Sequence, residues 1–382
     1  MKIVLHDYFE AAEGGGRLSL TLAEELKADL AYGFKVKNHP YFQRGALYPK
    51  GISFRAQCKE YSLMPFTSVP VWRQFLLAES FKRNTGFLSG YNTAVYSGFY
   101  APLAVANHSV GKNIYYCHTP PRFLFDQRDF YFSLIPFLQR PILSLFNSYF
   151  KPRYERAVKI MDCIVTNSEN VRNRIKHYLG LDAVVVYPPC DTERFKWRGQ
   201  KNYYLSTGRL DKLKRVDLVV DAFRRMADKK LVVVSDGPEL AEIRKLAQGA
   251  KNITIKGRVN DKELADLVGN CIGTVYIPRD EDFGMSPVES MAAGKPVIGV
   301  AEGGLLESVV AGKSGFLISA DPGVDDIIHA VGQLTREKAE EMREKCEGRA
   351  RLFRKEVFVE KMEKIIADLE NKEKRGCGND TK

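Results

Sequence analysis

Short runs of β-branched and aromatic residues alternate along this chain with longer amphipathic stretches, and that alternation restricts the possible folds more than any other feature. In the first half the runs fall at residues 2–5, 94–97, 114–117, 163–167 and 183–187. In the second half they fall at 203–207, 231–235, 253–255, 273–277, 296–300 and 315–318. Segments of helical period lie between them, for example 216–227, 238–247 and 261–268. Apolar strands separated by helices build parallel sheets covered on both faces. Two successive sets within 382 residues predict two doubly wound α/β domains, because a single core stops growing below that length.

The boundary falls at Pro188-Pro189-Cys190-Asp191-Thr192-Glu193-Arg194-Phe195, where paired prolines favour extended backbone and interrupt regular elements. This gives a first domain over 1–189 and a second over 190–350. A helix over 351–370 is expected to pack back on the first domain, ahead of a frayed tail over 371–382 rich in Lys, Glu, Gly and Asn.

A content of 45% hydrophobic and 27% charged residues is that of a globular protein. Lys2 is followed only by Ile3-Val4-Leu5, a buried strand rather than a secretory signal. The seven cysteines show neither CxxC nor zinc spacing, so packed, reduced thiols in the cytoplasm are expected. The net charge of +11 calls for an anionic partner: nucleic acid, an acidic membrane surface or a phosphorylated substrate. With no RNP-like motif, zinc finger or basic-region helix, nucleic acid is not expected.

Residues 130–150 are apolar over a length that could suggest a membrane span. Gln139, Arg140 and two prolines sit in the middle, and a central Arg alone costs about 3 kcal/mol on insertion scales. The segment therefore reads as a pair of helices on the first domain. Lys151, Arg153 and Arg156 beside it keep open a peripheral contact with the inner face of a membrane.

The motif richest in chemistry is Glu281-Asp-Phe-Gly-Met-Ser-Pro-Val-Glu289, which follows a strand and enters a helix. A strand, a Gly-containing loop and a helix N-terminus offer backbone N–H groups and a positive dipole end to sugar hydroxyls or a diphosphate. Glu281 lies in the loop and Glu289 in the helix, so the two suit separate points on one extended ligand. Gly208-Arg209-Leu-Asp-Lys-Leu-Lys214 follows another strand, where crevices form in parallel sheets, and Arg209 and Lys214 there can neutralise a departing diphosphate. In the first half, Tyr116-Cys-His118-Thr-Pro-Pro-Arg122 places His118 at a strand's carboxyl end. The loop Glu13-Gly14-Gly15-Gly16-Arg17, ahead of a helical pattern from about Leu18, can bring backbone close to a phosphate.

Together with Asn167-Ser168 and Tyr187-Pro-Pro-Cys-Asp-Thr-Glu-Arg-Phe195, these elements resemble glycosyltransferase family 4, the retaining enzymes of the GT-B fold, over nearly the whole chain. Within that family the chain looks most like the mannosyltransferases of O-antigen and lipid-linked oligosaccharide assembly. The resemblance implies two Rossmann-like domains facing across a cleft. It also implies a nucleotide-sugar donor, GDP-mannose before UDP-sugars, a glycan or lipid-linked acceptor, and no metal or other cofactor. By the same resemblance Glu281 contacts the donor sugar, Phe283, Gly284, Met285 and Ser286 offer backbone groups to sugar and diphosphate, and Glu289 holds the ribose. Arg209 and Lys214 stabilise the diphosphate, His118 lies near the reacting sugar, and Arg258 and Val259 flank the base. Gly15 and Gly16 approach the donor from the first loop, although Arg17 stands where many relatives carry Glu.

Three other readings fit less of the sequence. Gly14-Gly-Gly16-Arg-Leu-Ser19 is a defective dinucleotide fingerprint, displaced from its strand. Asp280-Glu281-Asp282 matches a metal-binding D-x-D but overlaps the paired glutamates. A non-catalytic sugar-nucleotide-binding protein would have lost Arg209, Lys214 or Glu281, and all three are present. A UDP-sugar transferase acting on a soluble acceptor remains the alternative within the same chemistry.

Overall fold

The computed structural model describes residues 1–10, 13–42, 58–67 and 69–376. The chain divides into two compact units, one of residues 1–187 with 359–382 and one of residues 188–358. Pro188 opens the second unit.

The first unit is built on a seven-stranded sheet of β1 (Lys2–His6), β2 (Asp29–Tyr32), β3 (Glu60–Ser62), β4 (Thr93–Ser97), β5 (Lys112–Cys117), β6 (Cys163–Thr166) and β7 (Val184–Val185). The strand order is β3-β2-β1-β4-β5-β6-β7 and every pairing is parallel. Its helices include α1 (Gly14–Glu25), α2 (Pro70–Arg83), α3 (Arg128–Ser133), α4 (Arg140–Lys159) and α5 (Glu169–Leu179). Ile3, Val4 and Leu5 are fully buried, as strands covered on both faces require.

The second unit repeats the plan with β8 (Tyr204–Ser206), β9 (Leu231–Val234), β10 (Ile253–Gly257), β11 (Thr274–Tyr276), β12 (Val297–Val300) and β13 (Gly315–Ile318), ordered β10-β9-β8-β11-β12-β13. Helices α6 (Val216–Arg224), α7 (Leu240–Leu246), α8 (Asp261–Asn270), α9 (Met285–Ala292), α10 (Leu305–Ser308), α11 (Val324–Gln333) and α12 (Arg336–Ala350) accompany it. The last helix, α13 (Lys355–Gly376), runs past Asn371, so the composition of that stretch does not end it; residues 377–382 lie outside the described residues.

In each sheet the order reverses beside the first strand, between β1 and β4 and between β8 and β11. Ligands of open parallel sheets bind outside the carboxyl ends of the strands at such a reversal. His6 pairs in register with Ser97 in the first sheet, and Leu205 with Thr274 in the second. Loops leaving these strand ends carry most of the residues singled out in the sequence.

One expectation needs correction. The glycines Gly14, Gly15 and Gly16 are not a loop ahead of a helix; they form the first turn of α1 itself. Their small size serves close packing, since a Cβ on Gly16 would sit 3.2 Å from a ring carbon of Phe9 and one on Gly15 3.4 Å from His118 Nε2. Residues 130–150 do hold two helices, but α4 continues to Lys159 through an internal Pro152.

Candidate active site

In the second unit, Asp211 starts the turn that presents Lys214. Its carboxylate accepts from the backbone N–H groups of Leu213 and Lys214 at 3.1 and 3.2 Å. From there Lys214 Nζ reaches Glu281 Oε2 at 2.5 Å, and the same oxygen accepts from the Tyr276 hydroxyl at 2.9 Å. Burial alone would lower the Lys214 ammonium, but the Tyr276 oxygen and the Glu281 carboxylate outweigh it and hold the ammonium well above its usual range. Burial, reinforced by the Glu281 charge, pushes the Tyr276 phenol up, so it stays protonated and donates. The arrangement is a charged pair with a neutral donor at the carboxyl ends of β8 and β11.

Arg215 fixes the two loops that make this meeting. Its Nε donates to the Ile277 carbonyl at 2.8 Å, one terminal nitrogen to that of Pro278 at 2.8 Å, and both terminal nitrogens to that of Ala320 at 3.0 Å. The residue is buried and holds a left-handed backbone, φ 51°, which a side chain with a Cβ adopts only when its surroundings enforce it. The Arg279 N–H donates to the Leu213 carbonyl at 2.7 Å, a second tie between the loops. Below Glu281, its carbonyl accepts from the Gly304 N–H at 2.9 Å and the Asp280 N–H donates to Glu302 at 3.2 Å.

Gly284, at φ 87°, turns the chain into α9 with no side chain capping the helix. Phe283 is buried, its ring edge-on to Phe353 at 5.3 Å, so only its backbone faces outward chemistry. Met285 and Ser286 occupy the first turn and Glu289 the second. Glu289 lies 3.8 Å from Arg194, which also pairs with Asp261.

Arg209 stands apart from the Lys214–Glu281 pair. Its side chain is 61% exposed, with Nε 3.8 Å from Asp211. Arg258 and Val259 follow the edge strand β10; Arg258 is exposed, whereas Val259 packs partly against the core. Among the described residues no group of three or more His, Cys, Asp or Glu is arranged to hold a metal ion.

In the first unit His118 leaves the end of β5. Its Nε2 is 2.8 Å from Ser97 Oγ, Ser97 accepts from Ser19 Oγ at 2.8 Å, and Ser19 Oγ lies 3.0 Å from His6 Nδ1. Burial pushes the His118 imidazole down to about 4. Burial, with His118 as a further depressing neighbour, pushes His6 down to about 3. Both rings are therefore neutral at pH 7. The backbone of His118 is also held, because Asn167 Nδ2 donates to its carbonyl at 2.8 Å, while Ser168 caps α5 through the Val171 N–H at 3.0 Å. Beneath them Asp7 accepts from the backbone N–H groups of Phe99, Tyr100 and Ala101; burial nonetheless pushes its carboxyl up to about 6.

The structure thus joins Lys214 with Glu281, and Gly15 with His118, within their own units. It adds Tyr276, Arg215, Arg194, Ser97 and Ser19, which the sequence did not single out. Ser19, the off-pattern residue of the first Gly-rich motif, and Arg194, inside the motif at the domain boundary, left a trace there.

The model of "Glycosyl transferases group 1" matches residues 189–353, and that of "Glycosyltransferase Family 4" matches residues 91–194. The alpha-1,3/1,6-mannosyltransferase ALG2 of Dictyostelium discoideum is 26% identical over 68% of this chain and 70% of its own length. The O-antigen chain mannosyltransferase C of Escherichia coli is 30% identical over 39% of this chain and 44% of its own. Among solved structures, Anabaena Alr3699/HepE in complex with UDP and glucose superposes over 96% of this chain and 99% of its own, with a TM-score of 0.72 at 15% identity, which establishes the GT-B fold. With two family models meeting at the unit boundary over residues 91–353 and this fold on both sides of it, the chain belongs to the glycosyltransferases of family 4.

Proposed function

We propose that the protein transfers mannose from GDP-mannose to a glycan or lipid-linked acceptor in the assembly of a cell-surface polysaccharide or glycan precursor, with retention of anomeric configuration and without a metal. The Lys214–Glu281–Tyr276 cluster, set at a strand-order reversal beside the uncapped start of α9, carries this reading. The named mannosyltransferase relatives favour mannose as the sugar. The reaction is cytoplasmic and takes place at the inner face of the membrane where the acceptor is lipid-linked.

In this reading Glu281 accepts hydrogen bonds from the mannose hydroxyls while paired with Lys214. A Lys ammonium has three N–H donors, so Lys214 serves both Glu281 and a diphosphate oxygen. Arg209 adds a second, more exposed cation, and the N–H groups at Gly284, Met285 and Ser286 complete the phosphate contacts. Glu289 orients the ribose, with Arg194 as its counter-ion. Breaking the bond between C1 and the diphosphate leaves negative charge on the leaving oxygen. The acceptor oxygen bonds C1 on the same face, and its proton passes to that leaving phosphate. Pre-set positive groups around the phosphate are the main source of rate in such a step. His118, neutral and fixed through Ser97, serves the sugar as a hydrogen-bonding group rather than as a charge.

A thermal-shift screen of GDP-mannose, UDP-glucose, UDP-galactose and UDP-N-acetylglucosamine tests the donor. The largest stabilisation is expected with GDP-mannose. A larger shift with any UDP-sugar overturns the donor assignment and favours the alternative of a UDP-sugar transferase acting on a soluble acceptor.

A further inference from the structure

The first unit carries an apolar face that its own core does not use. In α4 the stripe Phe146, Phe150 and Tyr154 is buried, while Ile142, one turn ahead of Phe146, and Leu145, on the neighbouring face, are exposed. The exposed stripe continues into the turn before α4, where Phe137 is 77% and Leu138 85% exposed. Helix α2 lies alongside, with Phe75 edge-on to Phe146 at 5.0 Å and tilted over Tyr149 at 5.5 Å. One turn apart on α2, Trp72 and Leu76 also point into solvent, at 62% and 50% exposure. Scattered exposed leucines need no explanation, but a tryptophan, a phenylalanine and several leucines on two adjoining helices form a patch of the kind that marks an interaction surface.

The charge around the patch decides between occupants. Residues 70–83 and 128–159 hold nine Lys and Arg against three Asp and Glu. Several basic groups lean over the aromatic rings themselves, Arg140 over Phe137 at 5.9 Å and Arg153 over Tyr149 at 3.9 Å. A second copy of the chain would set two positive rims against each other, whereas an anionic leaflet complements them. Among the described residues no helix is long and apolar enough to cross a membrane, so such a surface lies on the bilayer.

We propose that this face docks the protein on an anionic lipid surface, with Trp72, Phe137, Leu138 and Leu145 entering the boundary between headgroups and acyl chains and the surrounding Lys and Arg meeting the phosphates. The inference deepens the reading of a lipid-linked acceptor, yet its observations belong to the first unit and do not depend on the donor.

Flotation with vesicles of phosphatidylcholine, with and without phosphatidylglycerol, tests it on the full chain. Two variants are compared with the wild type: Phe137→Ser/Leu138→Ser/Leu145→Ser, and Arg140→Glu/Lys151→Glu. All of these side chains except Arg140 are largely exposed, and a thermal midpoint confirms that each variant folds. The wild type is expected to float with phosphatidylglycerol vesicles, and each variant to lose about tenfold or more in bound fraction. GDP-mannose stabilisation is expected to be unchanged in both variants. A wild type that binds neither vesicle overturns the proposal, as does a serine variant that binds like wild type. A wild-type dimer in light scattering that the serine variant converts to monomer overturns it too, since the face then pairs two copies. If vesicle binding depends on these residues while no nucleotide-sugar stabilises the protein, the docking face stands and the donor reading falls.

Discussion

Lys214 Nζ and Glu281 Oε2 meet at 2.5 Å across two loops that leave different strands, and each residue is the other's counter-charge. A charged side chain left alone in a partly buried site keeps its full desolvation penalty. The two groups are therefore expected to act as a unit. Lys214→Met and Glu281→Gln each lower turnover by about 10²–10³, the usual cost of removing one pre-set electrostatic group. The double variant is expected to lose far less than the product of the two. Steady-state rates of the three variants check this, and strictly multiplicative losses would show that the pair is not coupled.

Arg209 separates catalysis from stability more cleanly. Its exposure predicts that Arg209→Ala changes unfolding free energy by about 0.5 kcal/mol or less, while kcat falls by about 10²-fold if its guanidinium closes on the diphosphate. Full turnover in Arg209→Ala, measured beside a normal melting curve, removes Arg209 from the phosphate site.

Arg215 is expected to behave the opposite way. Arg215→Ala removes the hydrogen bonds to the carbonyls of Ile277, Pro278 and Ala320, and the buried acceptors of Ile277 and Pro278 cost about 1–3 kcal/mol each when stranded. A lower melting temperature and a raised KM for donor are expected together, because the same clamp holds the loop that carries Glu281. Arg215→Lys keeps a charge but lacks the planar fork, so it is expected to recover little of either property. An Arg215→Ala protein as stable as wild type contradicts the clamp.

The architecture was legible in the sequence wherever apolar runs were long enough to be buried on both faces. β2 and β3 escaped because Asp29-Leu-Ala-Tyr and Glu60-Tyr-Ser contain no such run; they belong in the sheet through parallel pairing to neighbours rather than through their own pattern. Gly14–Gly16 read as a loop because glycine is a poor helix former, whereas the deciding constraint is the nearness of Phe9 and His118, which no local propensity contains. Glu281, Lys214 and His118 could be picked out because charge or imidazole beside a strand end is informative in itself, and Glu289 through its spacing from Glu281. Tyr276 and Arg215 could not, since a tyrosine in a strand and an arginine in a charged loop acquire their roles only when two loops close on each other. Ser97 is likewise ordinary until β4 and β5 place it beside His118.

Burial of the two imidazoles in the His6–Ser19–Ser97–His118 chain is expected to make the first unit acid-sensitive. Both imidazoles titrate near 3 to 4 when folded and near 6.5 when unfolded, so between those values the unfolded chain binds more protons and stability falls as pH falls. Asp7, raised to about 6, acts in the opposite direction between about 4 and 6 but counts one group against two. The melting temperature is expected to drop from pH 7 to pH 4.5, and to drop less in His118→Asn. Equal drops in the two proteins, recorded by calorimetry, would rule out a titrating His118 as a source.

Activity is expected to survive EDTA. Lys214 and Arg209 supply the positive charge that a cation would bring to a diphosphate. Turnover abolished by chelation and restored by Mn²⁺ would instead assign Asp280 and Asp282 to a metal.

The central claim, that the second unit binds GDP-mannose at Lys214 and Glu281, is tested most directly by calorimetric titration of the donor into wild type and into Lys214→Met. The account predicts saturable binding by the wild type, tighter than that of UDP-glucose, and a loss of about tenfold or more in affinity when Lys214 is replaced. Undiminished affinity in Lys214→Met, or no binding of GDP-mannose by the wild type, would contradict it.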